Sequence, residues 1–385
     1  MDSNRMQELR DLIDHKSDGP VLSVFCRTDP REPSNKGESP GWAIALRNGL
    51  KAVSAQTDGD REASEQVQRL AAQAERRLAG TSAVERGRSV ALFLSADGSL
   101  DSLVTFQIPF RQDHVAFDSG AVVWPMVDVI DRGLRTGLVL LSHDHIRLLE
   151  WQDGTASDLE QSSWDLELGD WKEYRGTVRP NPQRGRQSIS NLSAYGDRVE
   201  EWRQRFVKAA AKAVAESARE LGFERLVIAA DGDSGAEFAD ALPEDTRGLV
   251  RATVPVNLID LTAAEAASQL DQHLRDAWRS GINAVGEEAV SRIQASGRAV
   301  GGADETLLAL AEGRVEHLIL DPYVEMGGEA LSDGARQTMA DAGEATVPEA
   351  LVELAIRTHA RISSASVEEV PTLEVGSGVL SILRY

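Results

Sequence analysis

A long amphipathic helix followed directly by a buried strand is the feature that most constrains the fold of this chain. From Asp197 to Leu221, apolar residues recur at spacings of three, four and seven, which is the periodicity of a helix with one buried face, and Asp197 is predicted to be its N-cap. Leu226–Ala230 is a short apolar run typical of a strand buried on both faces. A turn at Gly232–Gly235 and a helix at Glu237–Leu242 follow. This order of elements predicts a layered α/β structure.

Two β-like runs precede this helix and are predicted to pair as a hairpin. Leu138–Leu141 and Ile146–Trp151 are separated by the short segment Ser142–His145. His143 and His145 are candidate zinc ligands, because imidazoles suit zinc. The sequence places no third ligand beside them, and exposed turn histidines are the interpretation that the pattern favours.

The pattern of strands and helices continues on both sides of this region. A chain of 385 residues is too long for one ordinary core, so two or three domains are expected. The composition and order of segments predict an N-terminal α/β domain at 1–132, a middle domain at 133–261 and a smaller C-terminal α/β domain at 262–385. Helices are predicted at Met6–His15, Trp42–Val53, Glu62–Leu78, Trp124–Ile130, Thr262–Arg279, Glu287–Gln294, Asp304–Ala311 and Pro348–Thr358. Further strands are predicted at Val21–Arg27, Ser89–Ser95, Leu103–Ile108, His317–Leu320, Arg361–Ser364 and Gly378–Tyr385.

Charge and cysteine content exclude several classes of protein. The formal net charge of -21 argues against a protein that coats nucleic acid over its whole surface, and DNA is not an expected partner. A local nucleic-acid contact stays open, because salt screens charges beyond roughly 10 Å. The single cysteine, Cys26, excludes an internal disulfide and a thiolate metal cluster, and its apolar strand predicts a core position. No apolar run approaches the roughly 18 residues needed to cross a membrane, so a cytoplasmic protein is expected.

A basic loop interrupts this acidic chain between Tyr174 and Ser190. The loop holds no Asp or Glu, and an anionic partner is the simplest explanation. Arginines bind phosphate through bidentate charge-assisted hydrogen bonds, and a glycine lets the backbone approach a ligand closely. The alternative interpretation is a solvated loop with incidental arginines. The candidate RNA-binding residues are Arg175, Arg179, Arg184 and Arg186.

A second motif suggests a ligand site but lacks the residues that such a site needs. Asp231-Gly232-Asp233-Ser234-Gly235 follows a strand and precedes a helix, a position where α/β proteins often bind ligands. It has neither the phosphate-binding lysine nor the dinucleotide glycine spacing. A plain turn is therefore the favoured interpretation, and neither a cofactor nor a metal is expected.

The order of these parts resembles the bacterial branch of the archaeo-eukaryotic release factor superfamily, which contains the class I release factors, Pelota and the hibernation factor Balon. The resemblance covers roughly Gly133 to Tyr385 and depends on order and spacing rather than on one motif. It rests on the hairpin, on the segment Arg184–Ser188 entering the long helix, on Gly297–Gly302 and on the closing Leu383–Tyr385. It implies three domains, with a ribonuclease-H-like mixed sheet in the middle domain and a small α/β/α sandwich at the C-terminus.

The resemblance also implies roles for single residues in the basic loop. Release factors carry Gly-Gly-Gln there, and Gly185 and Gln187 match the first glycine and the glutamine that positions water to cleave peptidyl-tRNA. Arg186 stands where the second glycine is expected, so hydrolysis is in doubt while phosphate binding is not weakened. The first domain lacks the Asn-Ile-Lys-Ser motif, which argues against stop-codon reading.

Several functions follow from these residues and stay open. The first is a factor that occupies the A site of idle or stalled ribosomes, in hibernation or rescue, and contacts ribosomal RNA and P-site tRNA. The resemblance implies a translational GTPase, such as elongation factor Tu, as a partner of the C-terminal domain. The second is a peptidyl-tRNA hydrolase that uses Gln187 and Gly185. A metal-dependent RNA-processing enzyme using His143, His145 and Asp231, and an adaptor that binds only protein, are further alternatives.

Overall fold

The computed structural model describes residues 3–57, 59–165, 187–295, 297–324, 331–343 and 346–385. These residues form three sheets with helices packed on them. The helices are α1 (Ser3–Ile13), α2 (Gly41–Gln56), α3 (Arg61–Gly80), α4 (Ala83–Arg86), α5 (Trp124–Arg132), α6 (Gln187–Leu221), α7 (Ser234–Ala241), α8 (Glu244–Arg247), α9 (Ala263–Ala295), α10 (Ala303–Ala311), α11 (Asp333–Ala342) and α12 (Val347–Arg357). The strands are β1 (Val21–Arg27), β2 (Ser89–Ser95), β3 (Asp101–Phe106), β4 (His114–Asp118), β5 (Thr136–Leu141), β6 (His145–Gln152), β7 (Thr155–Asp165), β8 (Arg225–Ala230), β9 (Val250–Val254), β10 (Ala299–Gly301), β11 (Val315–Leu320), β12 (Arg361–Ser364) and β13 (Val379–Leu383).

The first sheet is antiparallel, with the order β3-β2-β1-β4. The helices α2 and α3 cover one of its faces, where Leu46 and Leu70 pack against Leu22 and Val24. Cys26 belongs to the same core and is fully buried, as the sequence predicted, and burial raises the pKa of its thiol far above the ordinary value.

The second sheet is mixed, with the order β7-β6-β5-β8-β9. β5, β6 and β7 are antiparallel neighbours, whereas β8 and β9 run parallel to β5. This arrangement confirms the predicted ribonuclease-H-like sheet and the predicted hairpin. α6 and α7 cover one face, where Val214 and Phe238 pack against Ile228.

The third sheet lies between helices, as predicted for an α/β/α sandwich. Its order is β10-β13-β11-β12, with β11 and β12 parallel and the other pairs antiparallel. Ile382 packs against Trp278 of α9 on one face. Ser381, the neighbouring residue, faces the other way and donates its hydroxyl to Thr306 of α10 at 3.4 Å.

The described chain divides into two compact units. Unit 1 comprises Met1–Leu134 and Trp278–Tyr385, and unit 2 comprises Arg135–Ala277. The first and third sheets belong to unit 1 and the second sheet to unit 2, so each of the three predicted domains holds one sheet. The exact boundaries at 132/133 and 261/262 stay a prediction.

Two predicted helix boundaries were wrong. α6 begins at Gln187, so Asp197 lies inside the helix and is not its N-cap. The helices predicted at Thr262–Arg279 and Glu287–Gln294 are one continuous helix, α9. Several short or polar elements were not predicted, because none contains a long apolar run: β4, β7, β9, α4, α8 and α11.

Within the described helices, none has the length and apolar character that crossing a bilayer requires.

Candidate functional site

The candidate loop connects β7 to α6 in unit 2. Its residues Arg175, Arg179, Arg184, Gly185 and Arg186 lie outside the described residues. Gln187 is the first residue of α6. The structure therefore describes the two elements that hold the loop and the position where its last part enters the helix.

The second half of α6 is firmly packed on the sheet. Val207, Ala211 and Val214 are buried in the core of unit 2, and Phe206 is the first of the described α6 side chains to join this core. The helix rises about 1.5 Å per residue, so Gln187 lies roughly 28 Å along the axis from Phe206. The glutamine thus lies far along the helix from the residues by which α6 is seen to pack on the sheet.

Ion pairs fix α6 at both ends of this packed half. Arg203 lies 2.6 Å from Glu237 of α7, and Arg219 lies 3.0 Å from Asp245 of α8. The guanidinium of Arg135 donates to the carbonyl of Leu221 at 2.5 Å, at the C-terminal end of the helix, where a cation is favourable. These contacts join the packed half of α6 to α7, to α8 and to the residue that precedes β5.

β7, the strand before the loop, is fixed by its contacts with β6, which also contacts the segment that follows β9. β7 pairs with β6 up to its last residue, Asp165, which lies opposite His145. Arg147 of β6 donates to Asp158 of β7 at 2.5 Å and to the carbonyls of Ile259 and Leu261. Both ends of the candidate loop therefore leave from ordered elements of unit 2.

The residues of the metal-dependent alternative lie at one edge of the second sheet. Leu141 and Ala230 are paired at the carboxyl ends of β5 and β8, so His143 and Asp231 follow neighbouring strands. Asp231 accepts a hydrogen bond from Asn257 at 3.1 Å, and His145 Nε2 lies 2.9 Å from Ser163 Oγ. In the part of the chain that the structure describes, no three His, Cys, Asp or Glu side chains are grouped closely enough to hold a metal ion.

A buried ionic cluster in unit 1 was not predicted from the sequence. Asp128 of α5 is completely buried and lies 2.8 Å from Arg111 and 2.5 Å from Arg132. Arg111 also donates to the carbonyl of Ser364 at 2.5 Å and lies 3.5 Å from Glu369. The cluster thus joins the first segment of unit 1 to the last. Carboxylates in the apolar helix α5 were the available signal, but apart from Arg132, four residues from Asp128, their partners come from other segments.

A second polar chain lies one turn further along α5. Asp131 accepts hydrogen bonds from Trp278 Nε1 at 2.9 Å and from Ser363 Oγ at 3.2 Å. His317 Nε2 lies 3.0 Å from the same hydroxyl. Burial, reinforced by Arg361, lowers the pKa of His317 to about 3. These hydrogen-bonded side chains are buried in the protein, which indicates a structural role.

The central part of the chain matches one known family model. Residues 122–278 match the model described as "Bacterial archaeo-eukaryotic release factor family 10". The match covers α5 and the whole of unit 2. None of the curated proteins matches the chain.

Among solved structures, distant similarities extend over most of the chain. Archaeal Pelota, in a model of its ribosome-bound complex with ABCE1, is 12% identical, with a TM-score of 0.41 over 99% of this chain and 94% of that one. Saccharomyces cerevisiae Dom34, a translation termination-like factor, is 11% identical, with a TM-score of 0.40 over 77% and 84%. The archaeal termination factor aRF1 is 16% identical, with a TM-score of 0.26 over 100% and 99%.

Proposed function

We propose that the chain, whose residues 122–278 match a bacterial archaeo-eukaryotic release factor family, belongs to that branch of the superfamily and is a ribosome-associated translation factor. It occupies the A site of idle or stalled ribosomes without reading a stop codon, and its basic loop reaches toward the peptidyl transferase centre. Ribosomal RNA and P-site tRNA are its phosphate-bearing partners.

One observation carries this proposal: a carboxylate-free arginine loop in a chain of net charge -21, within the segment that matches the release-factor family. Arg175, Arg179, Arg184 and Arg186 bind RNA phosphates, and Pro180 stiffens the approach. The loop is attached to β7 at one end and to α6 at the other, which supports this role. Fixed ends limit the conformational entropy that the loop loses when it binds RNA.

Co-sedimentation with idle 70S ribosomes over a range of salt concentrations tests the proposal. The wild-type protein is expected to pellet with ribosomes, and binding is expected to weaken steeply as salt rises. Changing all four loop arginines to alanine should reduce the slope of log binding against log salt by about 3, because each lost phosphate contact removes somewhat less than one unit.

A matched control removes four other arginines. Arg61, Arg205, Arg275 and Arg336 are each paired with a carboxylate on their own helix, and their replacement by alanine changes the net charge equally. This control should bind as the wild type does. A wild-type protein that stays in the supernatant at low salt would overturn the proposal.

The position of one residue favours a second candidate function, which is catalytic. Gln187 follows Gly185 by two residues and begins α6, the position at which the resemblance expects the water-positioning glutamine. Orienting a water is mainly a matter of proximity and preorganised hydrogen bonds. If the chain is a peptidyl-tRNA hydrolase, nascent peptide is released from stalled ribosomes by the wild type and much more slowly by Gln187→Ala. Equal rates would remove Gln187 from the chemistry.

The C-terminal segment is the proposed contact for a translational GTPase such as elongation factor Tu. Residues 278–385 hold 17 Asp and Glu against 8 Lys and Arg, which is a net charge of -9 and suits a basic partner face. Ribosome binding that is unchanged by the GTPase with its nucleotide would argue against this partnership.

A further inference from the structure

The solvent face of α2 differs from the other helical surfaces of this protein. Asp and Glu account for 62 of the 385 residues, yet the sequence from Ser39 to Thr57 contains neither. α2 lies entirely within this stretch and carries two cations, Arg47 and Lys51. Both are exposed and lie four residues apart, so they share one face of the helix.

Packing fixes which face of α2 is turned to solvent. Trp42, Leu46, Leu50 and Val53 are buried on the inner side. Gly49 lies on that side too, where an added Cβ would come within 2.4 Å of Val115 in β4. The helix is therefore held close to the first sheet and cannot turn its cations inward.

Among the described residues, the cations of α2 have no carboxylate partners. Arg47 Nε donates to the carbonyl of Ala43 at 3.1 Å, and neither Arg47 nor Lys51 lies within ion-pair distance of an acidic group in the described part of the chain. Some exposed arginines of α3, such as Arg69 and Arg76, also donate to backbone carbonyls, but others on the described helices are paired with a carboxylate on their own helix. These pairs are Arg61–Glu65 on α3, Arg205–Glu201 on α6 and Arg275–Asp271 on α9.

The remaining side chains of this face are an amide, a small residue and one large apolar residue. Asn48 is exposed beside the two cations, and Ala55, one turn beyond Lys51, is exposed as well. Ile44 is 45% exposed, which is uncommon for a large hydrophobic side chain in this protein. Cations bind phosphates, an amide can bond to sugar or base groups, and an apolar side chain can pack on a ribose or base. A carboxylate-free surface of this kind suits a polyanion.

We propose that the outer face of α2, formed by Ile44, Arg47, Asn48, Lys51 and Ala55, binds folded ribosomal RNA. This gives the N-terminal segment a contact of its own, separate from the basic loop of unit 2. It rests on the proposed ribosome association for the identity of the RNA.

Charge reversal on the full-length protein tests this surface. The variant Arg47→Glu/Lys51→Glu should bind 70S ribosomes at least about tenfold more weakly near physiological salt, because two phosphate contacts become repulsive. Arg47→Ala/Lys51→Ala should reduce the log–log salt slope by about 2. The matched control, Arg61→Glu/Arg336→Glu, alters two exposed, ion-paired arginines of unit 1 and should bind as the wild type does.

The outcomes separate this inference from the proposed function. Wild-type protein that does not pellet with ribosomes overturns the proposed function and, with it, the RNA partner named here. If the wild type pellets with ribosomes and the Arg47→Glu/Lys51→Glu variant binds them equally well, the proposed α2 surface is overturned while the proposed function stands. Circular dichroism and the thermal midpoint of each variant establish that it is folded.

A photoreactive benzophenone residue at Asn48 identifies the partner of this face. Crosslinking to ribosomal RNA, lost on ribonuclease treatment, is the expected result. Crosslinking to a ribosomal protein instead would overturn the RNA assignment.

Discussion

At the scale of single residues, Asp128 is a buried charge held by two guanidinium groups. Its side chain has no exposed surface and lies between Arg111 and Arg132. Asp128→Asn removes the negative charge and leaves both arginines without their counter-ion. Because breaking a buried pair strands an uncompensated charge, we expect the free energy of unfolding to fall by about 3–5 kcal/mol, measured by urea denaturation.

An exposed ion pair of the same unit provides the control. Asp101 lies 3.6 Å from Arg77, and both side chains are about half exposed. Asp101→Asn should lower the free energy of unfolding by less than about 1 kcal/mol. Equal losses in the two variants would show that the Asp128 cluster is not a specific support of unit 1.

Buried histidines should make the stability fall in mild acid. Burial lowers the pKa of His317 to about 3 and of His114 to about 4, against an ordinary value near 6.5 in the unfolded chain. The unfolded chain therefore binds more protons, so the free energy of unfolding is unaffected above pH 6.5 and falls between pH 6.5 and pH 3–4. Each histidine should cost up to about 2 kcal/mol on going from pH 7 to pH 5.

His317→Gln tests the histidine contribution directly. The amide can still bond to the Ser363 hydroxyl but cannot titrate. We expect the variant to lose less stability than the wild type between pH 7 and pH 5 in urea denaturation. An unchanged pH dependence would exclude His317 as the cause.

Residue-level prediction from the sequence succeeded where the signal is local. The apolar strand around Cys26 predicted its core position, and the structure confirms it. Asp128 and Asp131 were missed because most of their partners, such as Arg111 and Ser363, come from other segments. Asp131 and Ser363 are more than two hundred residues apart. A contact of this kind leaves no periodic pattern in the sequence.

At the scale of elements, apolar periodicity predicted most helices and strands to within a few residues. The main errors have a common cause, which is that glycine and polar residues were interpreted as breaks. α9 continues through Gly281 and Gly286 because its buried Trp278 and Ala289 belong to one core in unit 1. Tertiary packing here outweighs the low helix propensity of glycine.

Gly286 in α9 is required for a close approach rather than for a turn. A Cβ added there would lie 2.4 Å from Thr372 Oγ1 and 3.0 Å from Val370 Cγ1. Gly286→Ala should therefore lower the melting temperature despite the better helix propensity of alanine. Gly80, at the end of α3, has open space around its Cα, so Gly80→Ala should leave stability unchanged or raise it by up to about 1 kcal/mol. A stabilising Gly286→Ala would contradict this account of the packing.

At the scale of the whole molecule, the sequence predicts three α/β segments but not their grouping. The grouping depends on α5 and on contacts such as Arg111 to Ser364, which join residues far apart in the chain. The arginines of the candidate loop were recognisable because they contrast with the acidic composition. The sequence did not predict that Arg47 and Lys51 have no carboxylate partner among the described residues. A partner can also come from another segment, so the lack of a carboxylate four residues away does not decide the question.

The hydrogen bond between Trp278 and Asp131 ties together the two segments of unit 1, and its loss should loosen both of them. Trp278→Phe removes the indole donor and leaves one oxygen of the buried Asp131 without this partner. Because unit 1 is one compact body, we expect faster amide exchange in β1 of the first sheet and β11 of the third, with β8 of unit 2 unchanged. Phe238→Leu, in the core of unit 2, should give the opposite pattern, with faster exchange in β8 alone. If Trp278→Phe accelerates exchange in the third sheet but leaves the first sheet protected, the two segments open independently and the cooperative unit 1 described here does not exist.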